Sequence, residues 1–147
     1  MIRFIKVKII QDLERLEERA QRFMSALMHA PEAQMTFRPG GDFYETPEGL
    51  RLRLEVPGVA LEDLSVALAG QELIVRGIKR WSPPPGVSRF LHQEISHGRF
   101  ERSFRVPIPV EVQEIQAQLS HGILEVHLPR KQPSTRRIPV TALTESE

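Results

Sequence analysis

The fold is decided by the stretch Ala117-Gln118-Leu119-Ser120-His121-Gly122-Ile123-Leu124-Glu125-Val126-His127-Leu128-Pro129. Apolar side chains recur at every second position on both sides of the glycine, which predicts two strands that each turn one face to a core. Ser120-His121-Gly122 predicts the turn between them, since glycine adopts positive φ without strain. Pro129 ends the second strand because proline has no N–H to donate to a neighbouring strand. The stretch therefore predicts a β-hairpin.

Composition indicates a single domain with extensions. The chain has 147 residues, 40% of them hydrophobic, which is enough for a core. A net charge of +1 gives no reason to expect a nucleic-acid or anionic-membrane partner. The absence of cysteine excludes disulfides and thiolate chemistry and fits a reducing compartment. The apolar stretch 2–10 contains Arg3, Lys6 and Lys8, so it is too short and too charged to span a membrane. We expect a soluble, cytoplasmic protein without an obligatory membrane partner.

Residues 1–39 are predicted to form an N-terminal helical arm. Apolar residues recur at steps of four and three from Ile9 through Leu27, which is the spacing of a heptad seam. Residues 1–10 are open to two interpretations, because Ile5, Val7 and Ile9 also alternate with lysines as in a strand. The apolar stripe is expected to pack on its own domain or on a second copy, and it could also receive unfolded chains. The residues assigned to this arm are Phe4, Leu13, Leu16, Phe23, Met24, Leu27 and Met28.

Residues 40–130 predict a mainly β domain, an antiparallel immunoglobulin-like β-sandwich. Short alternating or apolar runs separated by glycine and proline cover 42–46, 50–56, 64–68, 73–77, 100–106, 115–119 and 124–128. The proline-rich segment 81–88 predicts an irregular loop, with a weak strand at 90–95.

The C-terminal extension, 131–147, is polar and predicted to be extended, with one apolar interruption at Ile138-Pro139-Val140. Pro139 forbids a helix there and favours an extended backbone, so Ile138 and Val140 should project to the same side.

Several segments, taken in order, resemble the small heat-shock protein (α-crystallin) family. They are Asp42-Phe43-Tyr44-Glu45-Thr46, Glu55-Val56-Pro57-Gly58-Val59, the Gly-x-Phe-x-Arg-x-Phe pattern of 98–104, the closing signature 117–129, and Ile138-Pro139-Val140. The family often has Glu-Arg where this chain has Glu94-Ile95, and the proline-rich loop is unusual for it.

The resemblance implies an ATP-independent holdase that forms homo-oligomers and binds partly unfolded client proteins. It implies a dimer in which the loop strand, with Phe90 and Leu91, pairs with the partner's opening strand, with Asp42, Phe43 and Tyr44. It also implies a groove between two strands that receives the Ile-Pro-Val motif of a neighbouring subunit. The groove residues are assigned as Val66, Leu68, Ile115 and Leu119. Arg102 alternates with two phenylalanines, which indicates a structural or dimer-interface role and leaves client contact as the alternative.

The sequence offers no constellation for catalysis, a cofactor or a metal. The histidines and carboxylates have no ligand spacing, and no nucleophile elbow or phosphate loop is present. His121 and His127 are predicted to be surface histidines. Two other functions are compatible with a β-sandwich. A co-chaperone-like β-sandwich adaptor for another chaperone is the main alternative, and it generally lacks the tail motif and the loop strand. A small-ligand-binding sandwich or hydrolase is the other, and it lacks a site.

Overall fold

The computed structural model describes residues 1–10 and 37–141, which form two β-sheets packed face to face. Within these residues the strands are β1 (Arg3–Ile5), β2 (Val7–Ile10), β3 (Gly41–Thr46), β4 (Gly49–Glu55), β5 (Leu64–Ala69), β6 (Glu72–Lys79), β7 (Gly98–Arg105), β8 (Gln116–Ser120) and β9 (Ile123–Pro129). The first sheet has the order β1-β8-β9-β4-β3 and the second the order β2-β5-β6-β7. Short 3-10 turns at Leu61–Asp63 and Val112–Glu114 precede β5 and β8. The predicted β-sandwich is confirmed.

The alternation of apolar residues explains the strands and the core. In β4, Leu50, Leu52 and Leu54 are buried, whereas the intervening residues are exposed. β9 repeats the pattern against it in antiparallel register, with Leu52 opposite Val126. Full burial of each such side chain stabilises the fold by about 1.5–3 kcal/mol before entropy is counted. The buried core comprises Leu50, Leu52, Leu54, Val56, Val59, Leu64, Val66, Leu68, Leu73, Val75, Phe100, Val106, Ala117, Leu124, Val126 and Leu128.

The hairpin β8–β9 closes as the sequence predicts, and its glycine has a second role. Gly122 adopts a φ of +74°, and a Cβ added there would lie 3.1 Å from Cα of Pro57. Its carbonyl accepts a hydrogen bond of 2.7 Å from the N–H of Val56. The tip of the hairpin is therefore fixed against the chain as it leaves β4.

The N-terminal residues correct one expectation. Ile9 lies in β2, so the helical heptad does not begin there, and residues 3–10 are part of the sandwich instead of a helical arm. Of the two interpretations of residues 1–10, the strand indicated by the alternation of Ile5, Val7 and Ile9 with lysines is correct. The rest of the predicted heptad, Leu13 to Leu27, falls outside the described residues.

The segment 80–97 also differs from expectation. It contains no strand in the single chain, and the run 90–95, for which a weak strand was predicted, is exposed and irregular. A lone strand with no partner leaves its backbone hydrogen bonds unmade, so isolation of the segment explains the difference.

Candidate assembly surfaces

The docking groove predicted from sequence would lie between β5 of one sheet and β8 of the other. Each of these strands is next to the last strand at one end of its sheet. Val66 is fully buried and Leu68 is 3% exposed. Ile115, just before β8, and Leu119 are half-buried and pack against the core. The four residues predicted for a docking groove therefore lie in β5, in β8 or just before β8, and all four belong to the core or pack against it.

The chain's own N-terminus pairs with both of these strands. β1 pairs with β8 in antiparallel register, with Ile5 opposite Ala117. β2 continues from it and pairs with β5 in parallel, with Val7 opposite Val66 and Ile9 opposite Leu68. The segment Arg3–Ile10, which we call the N-terminal strap, therefore extends both sheets by one strand each.

The side chains of the strap alternate between half-buried and exposed. Ile5, Val7 and Ile9 are half-buried and pack against the core, whereas Lys6 and Lys8 are exposed. Phe4, assigned to the client-binding arm, is 70% exposed. The pairing of the strap with β5 and β8 was not predicted from sequence. The signal was present in the alternation over residues 5–9, but alternation alone does not identify the strand with which a segment pairs.

The C-terminal extension is anchored at its base, and its residues 131–141 are exposed. Lys131 donates a backbone hydrogen bond of 3.0 Å to the carbonyl of Pro109, and Glu111 donates one of 2.7 Å to Pro129. Ile138 is 79% exposed and Val140 94% exposed. The Ile-Pro-Val motif therefore does not lie in the groove of its own chain.

The opposite side of the sandwich presents the other two sheet edges, β3 and β7. Phe43 of β3 packs on Phe104 of β7, with ring centroids 5.4 Å apart. Asp42 and Tyr44 of β3 are exposed, Tyr44 by 42%. β3 pairs only with β4, so its outer edge has unpaired backbone groups among the described residues. Such an edge is available for pairing with another chain.

The loop 80–97 is tethered at its start and carries exposed apolar side chains. Arg80 makes two hydrogen bonds of 2.8 Å to the carboxylate of Asp63, and this pairing lowers the pKa of Asp63. Phe90, Leu91 and Ile95 are 42%, 78% and 70% exposed. Three exposed apolar side chains in one loop make it a candidate interaction surface.

Arg102 lies on β7 beside these edges. Its guanidinium donates to the carbonyl of Pro39 and lies over the ring of Phe104, 5.0 Å from the centroid. Burial, and to a smaller extent the nearby charge of Arg38, lowers its pKa. A carbonyl and an aromatic ring thus hold this side chain. These contacts fix the start of β3 to β7.

The two histidines singled out from sequence have different surroundings. His121 is exposed in the hairpin turn, as predicted. His127 lies on the outer face of β9, opposite Arg51 and Gln116, so it is at the surface as predicted but half-buried there. Its Nε2 is buried and has no hydrogen-bond partner among the described residues. Burial, and to a smaller extent Arg51, lowers its pKa from the ordinary 6.5.

Across 1–10 and 37–141, no three His, Asp or Glu side chains come together as a metal-binding group. No helix in the same residues is long and apolar enough to cross a membrane.

Comparison with known proteins identifies relatives over most of the sandwich and the tail. The model of the Hsp20/alpha crystallin family matches residues 42–141. The 16.9 kDa class I heat shock protein 1 of wheat (Triticum aestivum) is 32% identical over 104 residues, which are 68% of this chain and 69% of the relative. The probable 15 kDa heat shock protein of Leptospira interrogans is 31% identical over 102 residues, 69% of this chain and 77% of the relative.

Solved structures of heat-shock proteins are also similar to this chain in fold. A small heat-shock protein from Xylella fastidiosa, described as having a distinct high order structure, has a TM-score of 0.64 and 28% identity, covering 73% of this chain and 99% of its own. Heat shock protein 16.0 from Schizosaccharomyces pombe has a TM-score of 0.58 and 25% identity, covering 71% of this chain and 99% of its own.

Proposed function

Since the chain belongs to the Hsp20/alpha crystallin family and is a small heat-shock protein, we propose that it holds partly unfolded proteins without ATP. It does so as a homo-oligomer built from dimers, and it has no catalytic role. Its partners are other copies of itself and unfolded clients. A chain without cysteine is compatible with the reducing cytoplasm.

The observation that carries the assembly proposal is the tail. Ile138 and Val140 are two large apolar side chains almost fully exposed on an extended backbone. We infer that the tail docks between β5 and β8, at Val66, Leu68, Ile115 and Leu119, four apolar residues that belong to the core or pack against it. The tail of one subunit would bury its two apolar side chains in the groove of another.

Magnitudes decide how such contacts behave. Burial of each tail side chain is worth roughly 1.5–3 kcal/mol before ordering costs, so a single docked tail binds weakly. Many tails in one closed particle act together through effective concentration. The particle is then stable while each tail exchanges, and exchange exposes apolar surface to clients.

The dimer uses the other side of the sandwich. Asp42, Phe43 and Tyr44 present a bare strand edge, and the loop carries Phe90 and Leu91 in the open. Pairing of the loop of one subunit with β3 of its partner would cover the bare edge of β3. It would also give the loop segment the backbone hydrogen bonds that it lacks in the single chain. Arg102 supports this edge by holding the start of β3 to β7. An exposed tail motif and an exposed loop both favour this function over that of a co-chaperone adaptor.

The test removes the two tail side chains together in the full chain. We expect Ile138→Gly/Val140→Gly to convert large particles into dimers, measured by light scattering coupled to size exclusion. The same samples are heated with a model client without ATP, and aggregation is followed by turbidity. The wild type should suppress aggregation.

A matched control introduces two glycines into the tail and leaves Ile138 and Val140 in place. Ser134→Gly/Thr141→Gly adds the same two glycines to the exposed tail and should leave the particle mass unchanged. An unaltered mass in the Ile138/Val140 variant would refute tail docking. A wild-type protein that is monomeric and does not affect client aggregation would refute the chaperone proposal as a whole.

A further inference from the structure

The N-terminal strap pairs with β8 and β5, the two strands between which the tail of another subunit is proposed to dock. We propose that the strap is an internal competitor, so that each groove is either closed by its own residues 3–10 or open to a tail. This inference rests on the proposed tail docking, and it adds that each subunit regulates tail docking through its own N-terminus.

The two segments are alike in the features that the groove can recognise. Ile5-Lys6-Val7 and Ile138-Pro139-Val140 each carry two β-branched side chains two residues apart. On an extended backbone such side chains project to one side. Ile5 and Val7 of the strap already pack against the core, and Val7 lies opposite Val66. A groove that accepts the first pair has the shape and polarity for the second.

The two segments cannot be accommodated together. β1 uses the outer edge of β8 from Ala117 to Leu119, and β2 uses the outer edge of β5 from Val66 to Ala69. A strand edge offers one row of hydrogen-bonding groups, which a single partner saturates. Tail docking at this position therefore requires that the strap leave.

The strap is suited to leaving. β1 and β2 each have only three or four residues and each pairs on one side only. None of its side chains is fully buried, and Phe4 is 70% exposed. Short edge segments with few buried contacts open at low free-energy cost compared with the global unfolding of the domain. A groove that is open for only part of the time binds an incoming tail more weakly in proportion to that fraction.

The experiment measures how tightly one groove binds a tail. The receiving protein is the full chain with Ile138→Gly/Val140→Gly, so that its own tails do not compete. The probe is a fluorescent synthetic peptide of residues 131–147, followed by anisotropy. We expect Ile5→Ser/Val7→Ser in this background to tighten peptide binding by about tenfold or more. Lys6→Ser/Lys8→Ser changes the exposed face of the same strap and should leave the affinity within about twofold.

A reversible lock provides a second measurement that does not depend on weakening the strap. Phe4 and Gln118 are register partners across β1 and β8, and the chain has no cysteine of its own. Phe4→Cys/Gln118→Cys in the same background should form an intrachain disulfide when oxidised. The oxidised protein should not bind the peptide, and reduction should restore binding in the same sample.

The outcomes separate the two proposals. If the peptide binds equally to the starting protein, the Ile5/Val7 variant and the oxidised lock, competition by the strap is refuted while tail docking stands. If none of the proteins binds the peptide and Ile138→Gly/Val140→Gly leaves large particles intact, tail docking fails and the competitor fails with it.

Discussion

Gly122 shows what a single residue of the closing signature does. It needs positive φ for the hairpin turn and lies close to Pro57. We expect Gly122→Ala to destabilise the domain by about 1–3 kcal/mol, from the left-handed conformation and the crowding of Pro57 together. Urea unfolding measures the loss.

Gly70 offers the matched control for Gly122. It lies in the β5–β6 turn at a φ of +58°, and an added Cβ would meet nothing within 4 Å. Gly70→Ala reports the cost of positive φ alone, so it should destabilise less than Gly122→Ala. Equal losses would show that the contact with Pro57 does not matter.

His127 makes stability depend on pH. Burial holds its pKa below the ordinary 6.5 in the folded state, so the unfolded chain binds a proton first as the pH falls. Stability should therefore decrease as the pH drops from about 7 through the ordinary value, and level off below the folded pKa.

Replacement of His127 tests this dependence. His127→Gln removes the titrating group at similar size, so unfolding free energy should change less between about pH 7 and pH 5 than in the wild type. Arg51, which also lowers the pKa of His127, and Glu48, which raises it, remain in place. Identical pH profiles for the two proteins would contradict the assignment.

At the scale of elements, local pattern predicted strands well and partners poorly. The alternation in β4, β5, β8 and β9 is set by which face meets the core, and a period of two records that directly. The groove residues, which were assigned from the family resemblance, stay a prediction. Local pattern missed the strap, since pairing of residues 3–10 with β5 and β8 is a long-range contact that neither alternation nor heptad spacing encodes. The helical arm beyond Ile10 stays a prediction.

The loop 80–97 has no strand in the single chain, and we propose that part of it becomes a strand on pairing with a partner. Leu91 is 78% exposed within the segment proposed to pair with β3 of a partner. We expect Leu91→Glu to weaken the dimer and raise the proportion of monomer on dilution, because a charge replaces an apolar interface contact. Analytical ultracentrifugation over a dilution series measures the change.

Val87→Glu is the control for the loop. Val87 is 42% exposed in the same loop and lies outside the run 90–95. It should leave the dimer intact. If both charges dissociate the dimer equally, or if neither does, then pairing of 90–95 with β3 does not set the dimer.

At the scale of the whole molecule, the question is whether apolar or ionic contacts hold subunits together. The chain is almost neutral, at +1, but the tail carries Arg136 and Arg137 beside its apolar motif. If the motif dominates, raising NaCl from about 0.05 M to about 0.5 M should leave the particle mass unchanged, because screening acts on charges and not on apolar burial.

Cooling should shift the particle toward smaller species, since hydrophobic association weakens at low temperature. Arg136→Gln/Arg137→Gln should keep the wild-type mass under both conditions. Dissociation by salt, together with smaller particles in this arginine variant, would instead assign the contact to the cations and leave the groove with a lesser part in assembly.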